Sequence, residues 1–104
     1  MTDEQINIAI AEYRGWQILE PEVHRAFTYH WAIEPDGSKS ILPDCCNDLN
    51  AMREVEMTLS NEIYEEYWNQ LIFVCMNEGE ERMNSASAKL RAKAFVITIG
   101  KWKE

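Results

Sequence analysis

Hydrophobic and polar positions along this chain change their period twice, near residue 15 and again near residue 43, after which the helical period persists. Before the first change Ile6, Ile10 and Tyr13 recur at helical spacing behind the acidic opening of residues 2 to 5, and Gly15 supplies a stop. A first helix is therefore expected over residues 3 to 14, although Ile8, Ala9 and Ala11 make its spacing imperfect. Residues 16 to 19 and 26 to 33 are rich in aromatic and β-branched side chains, and Phe27, Tyr29, Trp31 and Ile33 alternate along the second run. Both are expected strands, with those four side chains on one face. Glu20-Pro21-Glu22 marks a turn between them. Glu34-Pro35-Asp36-Gly37-Ser38 marks a stronger one, because Pro fixes its φ and Gly accepts the left-handed region. Residues 39 to 42 then return as a short third strand.

From Pro43 onward the period is helical. Asp44 or Asn47 is expected to accept hydrogen bonds from first-turn amides, and Leu49, Met52, Val55 and Leu59 then share a face. Ser60 caps the next helix, where Ile63, Tyr67, Leu71 and Val74 make the apolar stripe, widened by Trp68, Ile72 and Cys75. Glu62, Glu65, Glu66 and Asn69 fall largely elsewhere. Asn77-Glu78-Gly79-Glu80-Glu81 breaks that helix, and Ser87 caps a last one through Leu90, Ala94 and Ile97 to about residue 99, where Gly100 ends it. The pattern predicts three to four helices and two to three short strands in one domain over residues 1–104. At 104 residues such a chain buries roughly two-thirds of its unfolded surface.

Charge sharpens this picture. Residues 1 to 43 carry seven acids and three bases, residues 44 to 81 ten acids against Arg53, and residues 82 to 104 six bases against Glu104, for local charges of −4, −9 and +5. An acidic centre repels a phosphate backbone, so direct nucleic-acid binding is disfavoured there and a basic protein surface suits it better. Acids also simply keep a small domain soluble. No apolar run approaches the ~20 residues of a membrane span, and the opening residues are acidic where a secretory signal is basic. Three cysteines, two of them adjacent, make no disulfide framework and fit reduced thiols in a cytoplasm.

Motifs for chemistry are sparse. His24, His30, Cys45, Cys46 and Cys75 are the candidate metal donors, yet they form no C-x-x-C or H-x-x-x-H spacing, so no metal is expected. A helix start can lower a thiol pKa, so at most one of Cys45 and Cys46 could face a site as a mildly reactive thiol, and incidental cysteines are the expected reading. There is no nucleophile elbow, no Walker loop and no G-x-G-x-x-G turn, and Glu65-Glu66 and Glu80-Glu81 are expected in solvent rather than in the unlike environments an acid–base pair needs. No catalytic residue and no cofactor is assigned, and the chain reads as a non-enzyme. Among the four Trp, four Tyr and three Phe, Tyr64, Trp68 and Trp102 are the candidates for exposure. Tyr64 and Trp68, four apart and ringed by Glu62, Glu65 and Glu66, would suit a protein interface or a homodimer contact.

Residues 1 to 11 with Gly15-Trp16, the Trp31 to Pro35-Asp36-Gly37 strand and turn, Pro43-Asp44 with Asn47-Asp48-Leu49-Asn50-Ala51-Met52, and Arg91-Ala92-Lys93-Ala94-Phe95 with Gly100-Lys101-Trp102 together resemble the phage ABA sandwich domain family. Cys45 stands where that family commonly has an aromatic, and Lys93 where it often has an acid. The resemblance implies an α+β arrangement, three to four helices packed on a small antiparallel sheet of two to three strands, and a bacteriophage origin, and it implies no reaction. The Pro43 to Met52 motif also has a structural reading, with Asp48 near the positive end of its helix. A binding role for it requires Asp44, Asn47 and Asp48 to converge with another polar group in a pocket.

Two functional readings follow. In the first, a phage protein acts in the host cytoplasm as a non-catalytic binder of a basic host protein, such as an RNA-guided nuclease of a defence system, in the manner of an anti-CRISPR. In the second, Arg82, Lys89, Arg91 and Lys93 hold a small nucleotide signal used in defence. A phage accessory protein without antagonism is a third.

Overall fold

The computed structural model describes residues 1–79 and 86–103. Helix α1 spans Asp3–Tyr13 and opens on a reciprocal cap: Gln5 N donates to Thr2 Oγ1 at 3.2 Å, and Thr2 N donates to Gln5 Oε1 at 2.9 Å. Two amides that the helix cannot pair are thereby satisfied. Gly15, at φ +85°, ends the element and turns the chain toward the sheet. Strands β1 (Gln17–Ile18), β4 (Trp31–Ile33) and β5 (Lys39–Ile41) form a three-stranded antiparallel sheet in the order β1-β4-β5, while β2 (Glu22–His24) and β3 (Phe27–Tyr29) pair separately as an antiparallel hairpin.

The strand region departs from expectation in three ways. The chain reverses at Arg25, which takes φ +56°, and not at Glu20-Pro21-Glu22. Pro21 instead separates β1 from β2, as a residue with no N–H to give to a ladder must. The expected strand over residues 26 to 33 is also split at His30, whose carbonyl accepts Leu42 N at 2.8 Å. Finally, the opposite phase is buried: Ala32 is enclosed, Trp31 and Ile33 are half-buried, and Phe27 and Tyr29 are exposed. The turn at Pro35 to Gly37 and the third strand lie where the pattern placed them.

Helices α2 (Leu49–Met57), α3 (Asn61–Asn77) and α4 (Ala88–Thr98) complete the fold. Asp48, not Asp44 or Asn47, is the N-cap of α2, accepting Asn50 N at 2.9 Å and Ala51 N at 3.4 Å. Ser60 and Ser87 cap α3 and α4 as their positions predict. The buried face of α2 is Met52, Val55 and Glu56, whereas Leu49 is exposed and Leu59 lies half-buried beyond the helix end. Helix α4 is enclosed on several sides by α1, α2 and α3. Its Ala88, Ala92 and Ala94 admit close neighbours around Phe95 and Val96. The main core joins Ile6 and Ile10 of α1 to Met52, Val55, Tyr67, Leu71, Val74 and Phe95. A smaller cluster of Ala11, Ala32 and Leu42, with Ile8, Trp16 and Ile18 against it, fixes the sheet to α1. The architecture is α+β, four helices on small antiparallel sheets. Among the described residues no helix is long and apolar enough to cross a membrane.

Candidate binding surface

Helix α3 places Glu62, Glu65 and Glu66 in solvent, on the side away from its buried residues Tyr67, Leu71, Val74 and Cys75. The three acids sit at i, i+3 and i+4, where like charges on a helix oppose one another by ~0.2–0.5 kcal/mol a pair. None makes an ion pair with a described residue; Glu66 accepts one hydrogen bond, from Gln70 Nε2 at 3.1 Å. Tyr64 is exposed and its ring meets Trp68 edge-on at 5.6 Å between centroids. Trp68 itself is half-buried and packs on the main core, so of the aromatic pair only Tyr64 stands largely in solvent. Trp102 is half-buried too, beneath the Lys93 ammonium at 5.1 Å.

Under this surface lies a charged group that sequence reading missed. Arg91 Nη1 donates to Glu56 Oε2 at 2.9 Å and Oε1 at 3.2 Å, Tyr67 Oη donates to Glu56 Oε2 at 2.6 Å, and Arg91 Nε donates to the Ala86 carbonyl at 3.0 Å. The guanidinium also lies 6.0 Å from the Trp68 ring. Burial, and then the Glu56 carboxylate as acceptor, push the Tyr67 phenol far above its ordinary value, so it holds its proton and keeps donating. One ion pair thus ties α2, α3 and α4 together and sets the ring that backs Tyr64. A signal was present: Glu56 follows Met52 by four and Arg91 precedes Phe95 by four, each on its helix's apolar face.

Of the alternative cationic set, each of the three described members faces a carboxylate. Arg91 is buried in that ion pair; Lys89 pairs with Asp3 at 3.2 Å and Lys93 with Glu78 at 3.3 Å. Arg82 lies outside the described residues, as do Glu80 and Glu81. The two histidines are engaged apart, His24 with Glu22 and His30 with Glu4, each at 3.5 Å. Among the described residues no three His, Cys, Asp or Glu side chains are grouped to hold a metal ion. Cys45, Cys46 and Cys75 are not joined in a disulfide, and all three are buried. Burial outweighs any lowering by the helix start: it raises Cys45 to about 11 and Cys46 to about 12, aided at Cys46 by the Asp3 and Asp44 charges.

The Pro43 to Met52 motif divides its polar residues between two tasks. Asp48 caps α2, whereas Asp44 and Asn47 converge with α1: Asn7 Nδ2 donates to Asp44 Oδ1 at 3.1 Å, and Asn47 Nδ2 reaches Asp44 Oδ2 at 3.0 Å and Asp3 Oδ2 at 3.3 Å. A recess of about 270 Å³ opens beside them. Two of the three motif residues therefore meet further polar groups at a cavity, and the third is structural. Compared with protein-family profiles, curated proteins and solved structures, the chain matches none.

Proposed function

We propose that this protein is a non-catalytic binder that offers the amino-terminal half of α3 to a basic protein surface. The observation that carries the reading is the exposed trio Glu62, Glu65 and Glu66 without a described cationic partner, beside the exposed ring of Tyr64. Carboxylates held at i, i+3 and i+4 repel one another until a cation lies over them, so association with Lys or Arg side chains relieves a cost present in the free helix. Tyr64 adds what charge alone lacks. An aromatic edge backed by Trp68 has little conformational freedom to lose, and tyrosine and tryptophan are the side chains that dominate interface energetics. The buried Arg91–Glu56–Tyr67 group gives this surface a rigid base.

The resemblance to small phage proteins makes a host defence complex the natural owner of that basic surface, with inhibition by occupation, in the host cytoplasm. The nucleotide-binding alternative draws less support, since Lys89, Arg91 and Lys93 are each committed to a carboxylate. The reading is tested by affinity capture from a phage-susceptible bacterial lysate with the wild-type chain and with the triple variant E62K/E65K/E66K. A basic protein retained by the first and lost by the second supports it; an unchanged captured set overturns it.

A further inference from the structure

Resting on the acidic surface of α3, we propose that the element bound there is an amphipathic helix lying along the whole solvent side of α3 and antiparallel to it. Its amino-terminal half carries apolar side chains and its carboxy-terminal half Lys or Arg. Glu62, Glu66, Asn69, Phe73 and Met76 follow one another at alternating four- and three-residue steps, so they form a single seam opposite the buried residues, flanked by Glu65 and Ile72. All of these side chains are exposed. The seam changes character halfway: acids fill its first turns, and Ile72, Phe73 and Met76, at 40%, 62% and 70% exposure, fill its last. Large apolar side chains grouped in water mark an interaction site.

Charge decides which occupant fits. The seam and its flanks carry three carboxylates and no cation, so a second copy of this chain, which brings the same face to a two-fold contact, supplies nothing to meet them. A segment with cations at one end and apolar residues at the other complements both halves. The apolar end is also concave on one side. Phe73 walls a groove of about 570 Å³ together with Ile97 and Trp102, and Lys93, which lines the same groove, is neutralised by Glu78 at 3.3 Å. An apolar side chain therefore seats there without meeting an unpaired charge. From Glu62 to Met76 the seam runs ~21 Å, about four helical turns, which is the reach of one short helix. Contacts repeating at three- and four-residue steps are how a helix is held on such a stripe. Antiparallel orientation places the bound helix's cations at its own carboxy-terminal end, where its dipole favours them, and over Glu62, Glu65 and Glu66.

The test is a ¹H–¹⁵N NMR titration of the full chain with an alanine-based helical peptide of about 18 residues, carrying Leu and Phe on one face of its first half and Lys on the same face of its second. Two controls accompany it: the same peptide with its halves exchanged, and one with Leu and Phe replaced by Ala. Saturable shifts along both halves of α3 and at the Trp102 indole are expected with the first peptide, and binding about tenfold weaker or worse with either control. F73S/M76S and E62K/E65K/E66K are each expected to weaken the first peptide about tenfold; where circular dichroism shows F73S/M76S unfolded, M76S alone is expected to weaken it about threefold. Loss with E62K/E65K/E66K but not with folded F73S/M76S or M76S would overturn the helix and leave the acidic surface standing. Loss with F73S/M76S alone would overturn the acidic surface and the helix with it. No binding at millimolar peptide, equal binding of either control, or self-association of the chain with shifts at Phe73 and Met76 would also overturn the proposal.

Discussion

Replacing Glu56 with Gln removes one charge from a place where its partner has no water to turn to. The Glu56 and Arg91 side chains are 10% and 8% exposed, and the carboxylate accepts from both Arg91 Nη1 and Tyr67 Oη. Gln keeps the volume and can still accept through its one oxygen, but its amide nitrogen then faces either the guanidinium or the phenol. Breaking a buried pair in this way costs ~3–5 kcal/mol, because the remaining charge stays desolvated and uncompensated. That is a large part of the ~5–15 kcal/mol that holds a domain together, and at ~4–8 °C per kcal/mol for this size it lowers Tm by at least 12 °C or so. Y67F removes a single hydrogen bond to a charged acceptor and should cost ~1.5–3 kcal/mol. Conversely, the double variant E56L/R91M, which removes both charges, should be less destabilised than E56Q. Urea unfolding followed by circular dichroism measures all three. E56Q within 1 kcal/mol of wild type would refute the assignment of a buried ion pair coupling α2, α3 and α4.

Three further outcomes follow from the same geometry. E62K/E65K/E66K should leave the unfolding free energy from urea titration within ~1 kcal/mol of wild type, since surface charges contribute little, which makes a loss of capture attributable to the surface and not to unfolding. D48A should lower stability by ~0.5–2 kcal/mol through loss of the α2 cap, read by the same urea titration, and an unchanged midpoint would place the cap elsewhere. The thiols of Cys45 and Cys46 titrate near 11 and 12 in the fold, against ~8.5 in an unfolded chain, so the folded form binds more protons at alkaline pH. Their contribution is complete below pH ~8.5 and is lost as pH rises from there toward 11 to 12. The urea midpoint should fall across that window, and alkylation at pH 8 should run at least about a hundredfold slower than in the urea-unfolded chain; equal rates would show the thiols exposed.

Local signals carried most of the fold. Thr2, Ser60 and Ser87 mark helix starts because a hydroxyl in that position meets the free first-turn amides, and Gly15 and Gly100 mark stops because both adopt positive φ. What stayed hidden depends on contacts distant in sequence. Helical spacing puts Glu56 on the apolar face with Met52, but its partner becomes legible only when Arg91, 35 residues on, is placed against it. The same pairing removes Arg91 from the expected basic face. Asp44 and Asp48 are equivalent as cap candidates by composition; Asn7 of α1 recruits Asp44 and leaves the cap to Asp48. In the strands, alternation could not reveal that His30 interrupts the run, because the reason is a ladder partner, Leu42, contributed by a later segment. On α3 the acidic trio and Tyr64 were legible from helical spacing, while the half-burial of Trp68 follows from Arg91 beneath its ring.

The central claim is that α3 presents its acids and Tyr64 to a basic protein. Its most direct measurement is quantitative mass spectrometry of what the wild-type chain and E62K/E65K/E66K retain from one phage-susceptible lysate, each at physiological and at high salt. A basic protein held by wild type at physiological salt, diminished at high salt and lost with the triple variant is the predicted result. The same proteins held in equal amounts by both chains would contradict the account.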